Sequence, residues 1–286
     1  MAEITASLVK ELRERTGLGM MECKKALVEA DGDIDRAVEE LRKSSGMKAA
    51  KKAGRIAADG AVTVRVAGSA GMLIEVNSET DFVARDSNFV AFVDRVADAA
   101  MATGSEDVAA ITGGAIETER QALVQKIGEN ISVRRVRRLD VPGAVLGSYV
   151  HGNNRIAVAV ALEGGNAELA RDIAMHIAAQ NPQYGSPDQV PGTVVEKERE
   201  IYTAQAADSG KPADIIAKMV EGRIRKFLAE VSLSEQAFVK DPDITVGKLL
   251  KQGGARLAGF LRFEVGEGIE KEATDFAAEV AAQLRG

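Results

Sequence analysis

The sequence predicts an α+β protein in which small helical units are attached to a core of antiparallel sheets. Three observations lead to this fold class. Apolar residues recur every three to four positions near the N-terminus, they alternate from Ala61 onward, and a strand pair followed by a helix occurs twice along the chain. With 286 residues, 45% of them hydrophobic and 28% charged, the chain has the composition of a globular protein with one large domain or about two to three smaller ones.

Composition also narrows the function classes. The formal net charge is −6, which argues against a general nucleic-acid binder because such proteins usually carry an excess of Lys and Arg. The lone cysteine, Cys23, has no partner for an internal disulfide, which fits a reducing compartment. The first residues lack the pattern of a secretory signal, and no apolar run approaches the roughly 20 residues of a membrane span. We therefore expect a cytoplasmic protein with no direct nucleic-acid or membrane partner.

Residues 1 to about 45 predict a unit of three short helices. The first ends at the segment Thr16–Gly19, the second begins at Met20, and Asp33 is a good N-cap for the third. Three short helices bury little surface, so this unit is either marginal alone or a docking module. The basic, small-residue stretch that follows, residues 44–55, has the composition of a linker.

The core is predicted as two consecutive segments built on one plan. In the first, the pattern predicts strands over 61–66 and 72–76, helices over 88–101 and 117–127 and a strand over 131–136. In the second, it predicts strands over 144–150 and 156–162 and a helix over 167–179. The repeated hairpin-then-helix pattern indicates an internal duplication, on pattern and not on sequence identity.

Beyond Pro191 the chain predicts a pair of helices with an apolar seam. The seam can pair within one chain or between two, so a homodimer through this helical hairpin is one interpretation. Strand patterning resumes over residues 258–265. If that strand completes the earlier sheet, the helical hairpin is an insertion. A last helix is predicted over 275–284.

The most informative segment is residues 73–85, where an apolar strand pattern breaks into polar residues just before a helical pattern. Phe82 lies at this strand-to-helix corner beside Asp81, where a side chain on a rigid support is easily pushed outward. One interpretation is a core plug folded under the turn, because aromatic side chains are usually buried. The other is a rigid apolar wedge, paired with a charge, for a partner's pocket.

Residues suited to catalysis are few. His176 lies within a helical pattern and is interpreted as structural, His151 lies at a predicted strand end, and neither has a Cys or His at metal-ligand spacing. A Cys23 nucleophile paired with either histidine lacks support. The segment Gly266–Gly268 lacks the third glycine of a phosphate-binding motif and is interpreted as a turn. The basic run Arg134–Arg138 lacks the interleaved aromatics of an RNA-binding surface. Residue chemistry alone predicts a binding protein with helical protrusions, and it does not name the partner.

Several long motifs occur in order along the chain. They are Leu12–Leu27, Glu75–Ala84, Lys126–Ile131, Gly147–His151 and Phe263–Glu270. Together they resemble the bacterial elongation factor Ts family over essentially the whole length.

The resemblance implies a guanine-nucleotide exchange factor for elongation factor Tu, the GTPase that delivers aminoacyl-tRNA. Such a protein has no covalent chemistry of its own, is not an enzyme and needs no cofactor or metal. The implied layout is a UBA-like three-helix module with its linker over 1–54, a first core subdomain over 55–143, a second over 144–183 and 233–267, an inserted coiled-coil hairpin over 184–232 and a C-terminal helical module over 268–286.

The resemblance also implies which residues carry the function. Thr80, Asp81, Phe82 and Val83 are expected to bind the GTPase domain and dislodge its Mg²⁺. A second group is expected to support binding: Leu12, Met20, Met21 and Lys24 in the N-terminal module, and Ile127, Gly128 and His151 at or behind the wedge. The C-terminal helix is expected to anchor the protein at a second place on elongation factor Tu.

Three alternatives stay open on the sequence. The protein is a scaffold that binds elongation factor Tu without accelerating nucleotide release, an enzyme that uses Cys23 or a histidine, or an RNA-binding protein that uses Arg134–Arg138. Steeply salt-dependent RNA binding would indicate the last of these.

Overall fold

The computed structural model describes residues 4–207 and 212–270, and it has the predicted α+β fold. Its helices are α1 Ala6–Thr16, α2 Met20–Glu29, α3 Ile34–Lys52, α4 Ser87–Thr103, α5 Val108–Thr112, α6 Ala115–Ile127, α7 Ala167–Gln180, α8 Gly192–Ala207, α9 Ala213–Val231 and α10 Val246–Gln252. Its strands are β1 Asp59–Ala67, β2 Ala70–Ser78, β3 Ser132–Asp140, β4 Val145–Val150, β5 Ile156–Gly164, β6 Ala237–Phe238, β7 Asp241–Thr245 and β8 Ala255–Glu264.

The N-terminal helices form where their caps predict. α1 ends at Gly17, whose φ of 69° is the left-handed conformation that glycine adopts without strain. Asp33 caps α3, as predicted, by accepting a hydrogen bond of 3.0 Å from the Arg36 N–H. Apolar side chains from all three helices, Leu12 and Leu27 among them, form a small core of their own.

The predicted linker over 44–55 is wrong for most of its length, because α3 continues to Lys52. Alanine, lysine and methionine in this stretch are good helix formers. Ala49 is buried, and α3 packs against α6. A Cβ on Gly46 would lie 3.1 Å from a side-chain oxygen of Gln121 on α6. The small residues therefore allow a close helix–helix contact and do not loosen the chain.

The first half of the core is an antiparallel sheet of order β1-β2-β3 with α4 on one face. Alternate residues of β2, Met72, Ile74 and Val76, contribute to the core beneath α4. Phe89 and Phe92 of α4 are fully buried there. The switch from a period of two to a period near 3.6 therefore produces one apolar layer between sheet and helix.

The second half repeats this arrangement, with an antiparallel sheet of order β4-β5-β8 and α7 on one face. β8 contains most of the strand predicted over 258–265, and it pairs with β5. The helical hairpin of α8 and α9 therefore lies, in chain order, between two neighbouring strands of one sheet. The domain boundaries given above stay a prediction.

The two sheets pack face to face through Val62, Leu73, Ala157 and Phe263, among others. Both faces of β2 are buried as a result. One face meets α4, and the other meets the second sheet.

A buried carboxylate, Glu75, lies at this junction. It accepts hydrogen bonds from the side chains of Arg134 and Arg135 and a bond of 2.8 Å from the Gly266 N–H. Burial by itself would raise the pKa of Glu75, but the Gly266 N–H, the Arg135 charge and the Asn77 amide together lower it below its ordinary value of 4.5. The ionised side chain thus ties β2 to the turn after β8, the turn predicted at Gly266–Gly268.

The apolar seam of the helical hairpin is used within the chain. Val220 and Ile224 of α9 are buried, and α8 packs against α9. Arg199 of α8 pairs with Glu221 of α9.

Short elements escaped prediction because they are too brief to show a period. These are α5, α10 and the β6–β7 hairpin. The helix predicted over 275–284 lies outside the described residues. Within the described parts of the chain, no helix is long and apolar enough to span a bilayer.

Candidate functional site

The candidate site is built around the corner loop, residues 79–86, which connects β2 to α4. Phe82 in this loop is 79% exposed, whereas Val83 is only 7% exposed. Phe89 and Phe92 already fill the core beneath. The structure therefore excludes the core-plug interpretation: Val83 points inward, and Phe82 presents its ring to solvent. An aromatic ring that is held outward on a corner suits an anchor for a pocket on a partner.

Hydrogen bonds hold the corner loop on both sides of Phe82. The Ser78 hydroxyl donates to the Thr80 carbonyl at 3.0 Å. Asp81 pairs with Arg85 at 2.8 Å, one turn later. Asp86 accepts from the N–H groups of Asn88 and Phe89 and so caps α4.

The Asp86 carboxylate is ionised at neutral pH. Hydrogen bonding from Asn88 is the main cause that lowers the pKa of Asp86 below its ordinary value of 3.8, and the charge of Lys126 contributes. The negative charge lies at the N-terminus of α4, where the helix dipole favours it.

A notch of about 460 Å³ opens beside the Phe82 ring. The corner loop and the start of α4 line one side of it, and the end of α6 and the following turn line the other. Ile127 and Glu129 belong to this lining. Gly128 ends α6 with φ 88°, a conformation that glycine adopts readily. The structure thus brings Ile127 and its turn next to Phe82.

The predicted residues of the N-terminal module divide into two kinds. Met20 is 61% exposed and Met21 is 78% exposed, and Lys24 is exposed on the same helix. Leu12 is fully buried in the core of the module. Leu12 therefore offers no surface to a partner and supports the helix that precedes the methionines.

The N-terminal module approaches the corner through α6. A Cβ on Gly17 would lie 2.9 Å from the Nζ of Lys126. That Nζ donates a hydrogen bond of 2.9 Å to the Asn88 side chain at the start of α4. The turn before Met20 therefore lies close to the same end of α6 that lines the notch.

His151 lies in the turn between β4 and β5 and is exposed. The backbone N–H of His151 donates to the Ile156 carbonyl at 2.9 Å, and the backbone carbonyl of His151 accepts from the Asn154 N–H at 2.8 Å. The Asn154 carbonyl in turn accepts from the Val62 N–H on β1. These contacts join the His151 turn to β1 and not to the corner loop.

The remaining candidates for catalysis have structural roles. His176 is buried, donates from Nε2 to Gln236 and accepts at Nδ1 from the Val239 N–H. Burial lowers the pKa of His176, so its ring is neutral and both of its nitrogens have partners, which agrees with a structural role. Cys23 is fully buried. Across residues 4–207 and 212–270, no group of three or more His, Cys, Asp or Glu side chains could hold a metal ion.

The basic run on β3 is occupied by intramolecular pairs. Arg134 and Arg135 bind Glu75, Arg137 pairs with Glu106, and Arg138 pairs with Asp140. These pairs weaken the case for an RNA-binding strand.

One residue that sequence reasoning did not single out stands at the centre of the site. Glu129 accepts three hydrogen bonds from the corner loop, which lies about 50 residues earlier. The motif Lys126–Ile131 contains Glu129, but nothing in the sequence pairs it with Thr80. Contacts at this separation arise only from packing.

Comparisons with known proteins agree on one family. A family-wide sequence profile named Elongation factor TS matches residues 79–267, a span that begins at the corner loop. Elongation factor Ts of Hahella chejuensis is 68% identical over 288 residues, covering 100% of both chains. Elongation factor Ts of Saccharophagus degradans is 64% identical over 98% of both chains. Elongation factor Ts of Escherichia coli O139:H28 is 58% identical over 100% of this chain and 99% of its own.

Proposed function

The chain belongs to the elongation factor Ts family, a family of translation elongation factors, and from that premise we propose that it binds the GTPase elongation factor Tu and accelerates release of GDP from it. The observation that carries the proposal is the exposed Phe82 ring on a corner loop held at both ends, beside a notch. The activity requires no covalent chemistry and no cofactor.

Exchange of this kind is a problem of linked binding. The factor must bind the nucleotide-free GTPase more tightly than the nucleotide-bound form, and GDP must then bind less tightly in its presence. Burying one phenylalanine ring is worth about 1.5–3 kcal/mol. At about 1.4 kcal/mol per factor of ten, Phe82 alone could weaken GDP binding by roughly 10- to 150-fold if its ring is buried only in the open state.

In the proposed mechanism, Asp81 and Phe82 enter the GTPase domain near its magnesium and phosphate site. Displacement of Mg²⁺ removes the largest positive charge that compensates the phosphates, so GDP leaves and GTP can rebind. Val83 anchors the loop from below because it is buried. Thr80 fixes the loop from the side through its hydroxyl, which donates to Glu129 at 2.7 Å.

A second contact secures the complex while the wedge acts. We assign it to Met20, Met21 and Lys24, which are exposed on α2. Methionine side chains adapt to irregular apolar pockets and suit such a role. Ile127 lines the far side of the notch, and Gly128 forms the turn beside it. His151 is assigned to a separate contact from the β4–β5 turn. The helix predicted over 275–284 is the proposed second anchor.

The test is stopped-flow release of a fluorescent GDP analogue from elongation factor Tu with catalytic amounts of this protein. Phe82→Ala should slow maximal release by about tenfold or more, and it should weaken docking less. Its thermal unfolding should match wild type because the ring is exposed. Val66→Ala is the matched control, since Val66 is also an exposed apolar residue, 42% accessible, on the first hairpin.

Two results would contradict the proposal. Equal loss of docking and release, or no loss of either, would remove Phe82 from the wedge role. Wild-type protein that binds elongation factor Tu and leaves GDP release unchanged would be a scaffold.

A further inference from the structure

We propose that Glu129 is the positioning residue of the exchange mechanism: its carboxylate sets the orientation of the corner loop and thereby aims Phe82. The inference rests on the proposed function for its consequence, but its structural part can be tested in the free protein. It assigns Glu129 no contact with nucleotide or magnesium.

Three hydrogen bonds run from the loop to one carboxylate. Oε2 of Glu129 accepts from the N–H groups of Glu79 and Thr80, each at 3.0 Å. Oε1 accepts from the Thr80 hydroxyl at 2.7 Å. The loop enters its corner two residues before Phe82, so this clamp acts where the chain direction is set.

The clamp is reciprocal. The Glu79 carboxylate accepts from the Asn130 N–H at 2.6 Å. A carboxylate of the corner loop thus binds the backbone of the turn after α6, and a carboxylate of that turn binds the backbone of the corner loop. Two segments tied in both directions move as one unit, and Ile127 and Phe82 on either side of the notch keep a fixed spacing.

The same turn is also attached to the N-terminal module. Lys52, the last residue of α3, donates to the Gly128 carbonyl. The Asn130 side chain donates to the Arg55 carbonyl at 2.8 Å. The turn that carries Glu129 thus lies between the wedge and the end of α3, in the module whose α2 presents Met20 and Met21.

Two conservative variants distinguish a role of Glu129 through its hydrogen-bond geometry from a role through its charge. In Glu129→Gln the amide oxygen can accept from both N–H groups, while its NH₂ donates to the Thr80 hydroxyl, which can act as an acceptor. This variant keeps the three bonds and loses the charge. Glu129→Asp keeps the charge but withdraws the carboxylate by about 1.5 Å, one carbon–carbon bond, so the bonds are lost or lengthened.

The experiment measures two quantities for wild type, Glu129→Ala, Glu129→Gln and Glu129→Asp. The first is hydrogen exchange of the Glu79 and Thr80 amides in the free protein. The second is the maximal rate and half-saturating concentration for GDP release from elongation factor Tu. Glu129→Ala and Glu129→Asp should speed amide exchange and lower the maximal release rate by about tenfold. Glu129→Gln should stay within about twofold of wild type in both measurements.

Glu106→Ala is the matched control. The Glu106 carboxylate, in the loop between α4 and α5, also binds a backbone N–H of another segment. Its partner is the Arg138 N–H, near the C-terminal end of β3. Glu106→Ala should leave GDP release unchanged. Thermal unfolding of every variant separates positioning from global instability, and if Glu129→Ala does not fold, the Gln and Asp pair still decides the question.

The outcomes distinguish this inference from the proposed function. Release that is kept in Glu129→Asp and lost in Glu129→Gln would overturn positioning in favour of a charge effect. Release that is slowed in Phe82→Ala but normal in both Glu129→Ala and Glu129→Asp would also overturn it. If wild type does not accelerate GDP release while the loop amides still lose protection in Glu129→Ala, the clamp stands and the proposed exchange function fails.

Discussion

The two halves of the core follow one plan and differ at the corner between hairpin and helix. β2 reaches α4 through the eight residues 79–86, whereas β5 reaches α7 through residues 165–166 alone. Gly164 and Gly165 make the second corner tight, and a Cβ on Gly164 would lie 2.4 Å from the Gly254 carbonyl oxygen. The comparison shows that, within one arrangement of hairpin and helix, the longer corner has room for an outward aromatic side chain, Phe82.

The helices of the two halves also pack differently. α4 fills the space above its sheet with the rings of Phe89 and Phe92. α7 presents small residues such as Ala170, and a Cβ added to Gly147 on β4 would lie 2.3 Å from the Ala170 carbonyl carbon. The first half is therefore sensitive to lost volume, and the second is sensitive to added volume.

The largest expected effect is a cavity in the first half. Phe92→Ala should reduce the free energy of unfolding by about 3–5 kcal/mol, because the ring is fully buried and the layer can only partly collapse. Urea unfolding followed by circular dichroism measures this change. Phe82→Ala is the control, since its ring is exposed, and it should cost less than about 0.5 kcal/mol. Similar losses in both variants would contradict the assignment of inward and outward rings.

An intermediate effect is expected from overpacking in the second half. Gly147→Ala should cost about 1–3 kcal/mol, because the new methyl group meets backbone atoms of α7 that cannot rotate away. The same unfolding measurement applies. Gly152→Ala, in the turn of the same hairpin, has no heavy atom within 4 Å of its added Cβ and serves as the control. Equal stability of the two variants would show that α7 moves freely on its sheet.

The smallest effect is expected when the charge of the N-cap residue is changed in α4 and in α7. Asp86 caps α4 with a charge, and Asn166 caps α7 without one. Asp86→Asn should lose about 0.3–1 kcal/mol near pH 7, and Asn166→Asp should gain a similar amount, because a negative charge stabilises a helix N-terminus. Unfolding free energies of both variants and wild type give these differences.

The pH dependence of the cap variants has a definite sign. The pKa of Asp86 is lower in the folded protein than its ordinary value of 3.8. The charged cap therefore stabilises fully above that ordinary value, and the gain disappears as pH falls through the folded pKa. The difference between wild type and Asp86→Asn should vanish at acid pH. A difference that is independent of pH would show that the hydrogen bonds, and not the charge, carry the effect.

Much of the fold could be predicted because helices and strands follow from local periodicity. The helix α4 and the N-cap of α3 both lie where the sequence predicts. For residues 44–52 the composition indicates a linker, whereas packing against α6 stabilises a helix. Composition indicates how a segment behaves in isolation, whereas the C-terminal part of α3 is stabilised by its contact with α6.

The candidate site could be predicted only in part. Phe82 was located by the strand-to-helix pattern, but its direction stayed open. Leu12 was placed among the partner-binding residues by resemblance, and it lies fully inside the N-terminal core. Glu129 was not singled out, because its bonds to the corner loop cross about 50 residues of chain.

The sequence by itself determined the α+β class, the order of the longer helices and strands, and the corner that carries Phe82, because each of these depends on residues within a few positions of one another. Only the tertiary structure decided that Phe82 points outward, since Phe89, Phe92 and Val83 already occupy the space beneath it. Only the tertiary structure joined Glu129 to Thr80. Close packing of distant segments sets both outcomes, and that packing is a property of the whole chain.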